Sequence, residues 1–78
     1  MDCFVVLLCC DMDDFPVRVV ADRAAADTVA AAVAANPDAF LEESNAAFGR
    51  DASMLNCVLI ATVAGGKVTG TVLSHSFD

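Results

Sequence analysis

Basic residues are scarce in this chain: three arginines and one lysine stand against 11 aspartates and glutamates among 78 residues, a net charge of −7. A phosphate backbone is held by a basic footprint, so this scarcity excludes direct nucleic-acid binding. Long apolar runs are missing as well. The longest, residues 3–10, falls far below the roughly 20 residues that cross a bilayer, so no membrane span is expected. No basic residue precedes that run. Asp2 stands there instead, and Asp11, Asp13 and Asp14 follow where small cleavage-site residues belong, so no secretory signal is expected. The string Leu7-Leu8-Cys9 likewise lacks the basic start of an acylation signal. Charged residues amount to only 19% against 58% hydrophobic, which excludes intrinsic disorder. The expectation is a cytosolic protein, folded as one small acidic α/β domain over residues 1–78.

Four cysteines, Cys3, Cys9, Cys10 and Cys57, are present without the secretory context that a disulfide framework requires. Their spacing lacks the paired C-x2-C of a structural zinc site, and the single His75 cannot complete a ligand set. We therefore expect reduced, packing thiols and no cofactor or metal. Neighbours such as Cys9 and Cys10 point to opposite faces of a strand, and nothing basic nearby would activate either thiol. The run Asp11-Met12-Asp13-Asp14 clusters carboxylates, but Phe15-Pro16 stand where a calcium loop would continue, so it is taken as a solvated turn.

Residues 3–10, CFVVLLCC, are apolar on both alternating faces, which predicts a central strand covered on both sides. After the four-residue turn 11–14, residues 15–20 predict a second, shorter strand, with Pro16 at its start or on an edge. The period then changes. Asp22 is suited to N-cap a helix over DRAAADTVAAAVAA, with Val29 and Val33 beside Ala25, Ala26, Ala30 and Ala32 on one narrow stripe. Asn36-Pro37-Asp38 offers a second N-cap, and Gly49 a left-handed stop, for a helix over 37–48. That helix should turn Phe40, Leu41, Ala47 and Phe48 inward and Glu42, Glu43 and Asn45 outward. Residues 55–64 predict a third strand, joined by Gly65-Gly66 to a fourth over 67–75. The two glycines make a turn and no phosphate loop, since no helix follows them.

If Ala64 pairs with Lys67, paired numbers in this hairpin sum to 131, so that Val63 faces Val68, Leu59 faces Val72, Cys57 faces Ser74 and Asn56 faces His75. Cys57 and His75 then point to opposite faces, which argues against a nucleophilic dyad. The order β-β-α-α-β-β predicts an α+β, two-layer fold: a four-stranded, mainly antiparallel sheet with two helices on one face. Two helices cover one side only. The apolar residues left on the other side, assigned here as Val58, Ile60 and Leu73, are expected to form a homodimer or partner interface.

The acids admit two explanations. They keep a small hydrophobic protein soluble, in keeping with an Ala/Val-rich, Lys-poor host composition. Alternatively, Asp11, Asp13, Asp14, Asp27, Asp38, Glu42 and Glu43, with Asp22 and Asp51, present a negative surface that competes with nucleic acid for a partner's basic groove. In size and charge the chain is similar to small phage-encoded inhibitors, several anti-CRISPR proteins among them, a similarity of composition that implies nucleic-acid mimicry. The sequence thus predicts a non-enzymatic inhibitor that docks on a basic protein surface of a nucleic-acid-binding complex. The alternative is a homodimeric structural or accessory domain.

Overall fold

The computed structural model describes residues 2–11 and 13–77. Strands β1 (Cys3–Cys10) and β2 (Asp13–Val20) are followed by helices α1 (Arg23–Ala35) and α2 (Pro37–Phe48), then by strands β3 (Leu55–Ala64) and β4 (Lys67–Ser76). All strand pairs are antiparallel, in the order β2-β1-β3-β4. This is the expected α+β, two-layer architecture.

Short turns fix the two hairpins. Gly65 and Gly66 have φ of 59° and 78°, the left-handed pair that a two-residue hairpin turn demands. The β1–β2 turn is shorter than the four residues expected. Cys10 pairs with Asp13, so Asp13 and Asp14 belong to β2, and Asp11 takes a φ of 51° that aspartate tolerates better than most residues. Met12 lies outside the described residues.

Helix α1 starts where its cap predicts, with the Asp22 carboxylate accepting from the Ala25 N–H at 2.7 Å. Only Asn36 separates it from α2. Asn36 stands at the cap position but makes no side-chain cap bond, so Pro37 at the first turn and Asp38 beside it provide the start signal instead. Gly49 closes α2 with φ 63°, and the cap N–H donates to the Asn45 carbonyl.

The core lies between the helices and one face of the sheet. Ala26, Ala30 and Val33 of α1 are buried with Val6, Leu8 and Cys10 of β1, Phe15 of β2, and Val58 and Ile60 of β3; Phe40 and Leu41 of α2 pack against this cluster from its margin. Alanine on the contact stripe lets α1 approach the sheet closely, though Ala32 turns out to face solvent. The inner face of α2 also departs from expectation. Ala47 is exposed and Phe48 is 49% exposed, while Ser44 is buried and Asn45 half-buried. Asn45 turns inward because its amide serves the 51–54 loop: it donates to the Ala52 carbonyl at 2.9 Å and accepts from the Ala52 N–H at 3.0 Å.

The β3–β4 register holds for Ala64–Lys67 and Val63–Val68 and then slips twice. Leu59 faces Leu73 rather than Val72, Val58 faces His75, and Cys57 faces Ser76. Each slip is a bulge that adds one residue to β4, first Thr69 and then Ser74. The Thr69 hydroxyl donates to the Thr62 carbonyl at 3.4 Å, a bond between the first bulge and its partner strand.

Candidate functional site

Residues directly opposite in neighbouring strands share a face, so the register sorts the paired strand residues. The helix-covered face carries the rows Arg18–Val6–Ile60–Val72 and Phe15–Leu8–Val58–His75. The opposite face carries Val19–Val5–Ala61–Thr71, then Pro16–Leu7–Leu59–Leu73, then Asp14–Cys9–Cys57–Ser76, with Cys3–Val63–Val68 at one end. No described element covers this second face. It is a largely apolar surface in which Cys3, Cys9, Cys57, Thr71 and Ser76 interrupt the aliphatic residues, Ala61 is already buried, and the one charged residue is Asp14, at its β2 edge.

Two of the three residues assigned to an open apolar surface are therefore misplaced. Val58 is 0% exposed and Ile60 1%, both under α1 in the core, while Leu73 lies on the open face at 63% exposure. The reason is parity. Both faces of β1 and of β3 are apolar, and Val58 and Ile60 stand opposite Leu8 and Val6, which share their row side with Phe15. The expectation of a central β1 holds, but its two faces are not equally covered: Val6 and Leu8 are buried on the helix side, while Val5 and Leu7 on the other are half-buried. What sequence reasoning missed is the set Val5, Leu7, Leu59, Val63 and Val68. Their signal was the apolar second register of residues 3–10, which a two-helix layer cannot cover.

The acids divide into engaged and unengaged groups. Arg50 donates to Asp13 at 2.6 Å, Arg18 to Glu43 at 3.1 Å, and Arg23 to Asp27, one helical turn on, at 3.0 Å. The bond to Asp13 lifts the Arg50 guanidinium further above its ordinary value. Arg50 and Arg18 also lie over the Phe15 and Phe40 rings, at 5.5 and 5.6 Å, which places both guanidiniums against apolar surface. Asp11 ties the first turn to the 51–54 loop, accepting from the Met54 N–H at 2.8 Å and the Ser53 N–H at 3.2 Å. Asp14 accepts from the Cys9 thiol. Asp38 and Glu42 sit one turn apart on α2, exposed and with no bond among the described residues. The seven acids thus do not form one free cluster: Asp11, Asp13 and Asp14 lie at one end of the sheet, while Asp27, Asp38, Glu42 and Glu43 lie on the helices.

The thiols are free. Burial, with the Asp14 acceptor and Cys57 beside it, pushes the Cys9 thiol up to about 12; burial, Asp11 and Cys57 push Cys10 up to about 11. Both shifts run opposite to the lowered pKa of a nucleophilic cysteine. Cys57 and His75 lie on opposite faces, and the His75 ring meets the Phe77 ring edge-on at 5.0 Å. No described helix is long and apolar enough to cross a membrane. Compared with protein-family models, with curated proteins and with solved structures, the chain matches none.

Proposed function

We propose that this chain is a small, non-catalytic cytoplasmic binding protein that occludes a basic, nucleic-acid-binding surface of a partner protein. The observation that carries the proposal is the division of charge. All three arginines are held by carboxylates of the same chain, Arg18 by Glu43, Arg23 by Asp27 and Arg50 by Asp13. These pairs cancel, so the net charge of −7 is carried by the remaining acids, of which Asp38 and Glu42 stand exposed on the helix layer with no bond among the described residues. Such a surface attracts a basic groove and repels nucleic acid from it. Four reduced thiols support a cytoplasmic setting.

The test is capture of binding proteins from host lysate at about 50 mM and about 500 mM salt, followed by nucleic-acid displacement from the purified partner. Exposed charge contacts weaken as the Debye length falls from about 14 Å to about 4 Å, so binding is expected only at low salt. The double substitution Asp38→Lys and Glu42→Lys should abolish both capture and displacement. Binding that survives high salt and charge reversal would overturn the proposal.

A further inference from the structure

We infer that the uncovered sheet face is the interface of a homodimer, in which two copies stack face to face as a four-layer α/β/β/α sandwich. Three features of the face point to a second copy as its occupant. The first is charge. Two copies each carrying −7 repel over most of their surfaces, and this face, with Asp14 alone at its margin, is where they can meet without burying like charges. The second is size. Four strands about 4.8 Å apart, nine residues long at about 3.3 Å each, make a face of about 19 by 30 Å. The molecule measures 32 × 23 × 17 Å, so this face takes up most of one broad side. Stacking two such faces covers about 1,100 Å² in total, above the roughly 1,000 Å² that a biological interface needs and near the lower end of specific stable ones. A single partner helix, about 10 Å across, would leave half the width uncovered.

The third feature is self-complementarity. Leu7 and Leu59 are cross-strand partners on the two central strands, so a two-fold axis near them sets the same leucine pair of each copy against the other. Val63, Val68 and Leu73 extend the contact toward β4, and Val5 extends it along β1. Sheets stacked this way lie about 10 Å apart and need no new backbone hydrogen bonds, since the ladders are already closed within each sheet. The acidic helices then point outward on both sides.

Sedimentation equilibrium of the full chain tests the inference. A mass of twice 8.1 kDa is expected at about 50 mM salt, with association at least as tight at about 500 mM because screening relieves the repulsion between copies. Val68 and Leu73 are 64% and 63% exposed in the monomer, so Val68→Glu and Leu73→Glu should leave the circular dichroism unchanged. Each should raise the dissociation constant by at least about 100-fold, because a carboxylate would be buried in the contact. Asp38→Lys, on the helix side, should not weaken the dimer. In a mixture of differently labelled chains, Leu7 and Leu59 methyls should give intermolecular contacts. A monomer at both salt concentrations would overturn the inference. So would a dimer indifferent to both substitutions, or one lacking those methyl contacts. The salt response runs opposite to that of the occlusion complex, so each proposal can fail alone.

Discussion

The Cys9 thiol donates its hydrogen to the carboxylate of Asp14, its neighbour across the β1–β2 pair, and stands directly opposite Cys57 on the other side. A carboxylate that accepts from a thiol favours the protonated form, as does burial. In the folded chain Cys9 therefore holds its proton up to about pH 12 and Cys10 to about pH 11. The unfolded chain releases both near pH 8.5 to 9.

Above about pH 9 the unfolded state binds fewer protons than the native state, so stability falls as pH rises toward 11. Below about pH 8 this contribution is complete and constant. The melting temperature should drop between about pH 9 and 11, and Cys10→Ala should shallow that drop. Native Cys9 should also alkylate more slowly at pH 8 than an ordinary thiol, since its raised pKa leaves less thiolate to react. A flat melting profile from pH 8 to 11 would contradict the assignment.

Asp11 performs two tasks, tolerating a φ of 51° and accepting from the Ser53 and Met54 N–H groups. Asp11→Ala loses both and should cost about 1–3 kcal/mol in urea unfolding. Asp11→Gly recovers the conformation alone and should fall between alanine and wild type. Equal stability of all three would mean that the turn gains nothing from its tie to the 51–54 loop.

Asn45→Ala removes the paired bonds to Ala52 and leaves a shielded N–H and carbonyl unsatisfied. The expected loss is about 1–3 kcal/mol. Amide exchange at Ala52 should accelerate, as should proteolysis between Arg50 and Met54. Unchanged exchange there would place the loop's anchor elsewhere.

The close approach of α1 to the sheet depends on small side chains at its contact. Ala30→Leu should destabilise by about 1–3 kcal/mol through overpacking, whereas Ala32→Leu, on the solvent side, should stay within about 0.5 kcal/mol. Thermal or chemical denaturation distinguishes the two, and equal effects would mean that the helix face is misassigned.

Element order, the Asp22 cap, the Gly49 stop and the Gly65-Gly66 turn were all legible, because each is a local choice made by a few neighbouring residues. The inner face of the sheet was not. In β1 and β3 both parities are apolar, so a period of two separates Val58 and Ile60 from Leu59 without saying which set meets the helices. The tie is broken at long range, by the α1 stripe settling over Val6, Leu8, Val58 and Ile60. The bulge at Ser74 was equally hidden, since no glycine or proline marks it, whereas the one at Thr69 had a signal in Gly70, a glycine inside a strand, that the turn-based register did not use. Among the acids, composition shows excess charge, but only geometry shows that Asp13, Asp27 and Glu43 are spoken for by arginines.

The central position of β1 also dictates a timetable for synthesis. Its outer neighbour, β2, follows at once, but its inner neighbour, β3, begins only at Leu55, and Cys3 must wait for Val63. At about 5–20 residues per second, the first hairpin spends several seconds on the ribosome with one row of backbone groups unpaired and apolar side chains on both faces. The nascent hairpin is a template for strand addition by any neighbouring chain. Yield in the cell is then governed by how fast β3 arrives, so slowing translation between α2 and β3 should raise aggregation even though the finished fold is unaltered.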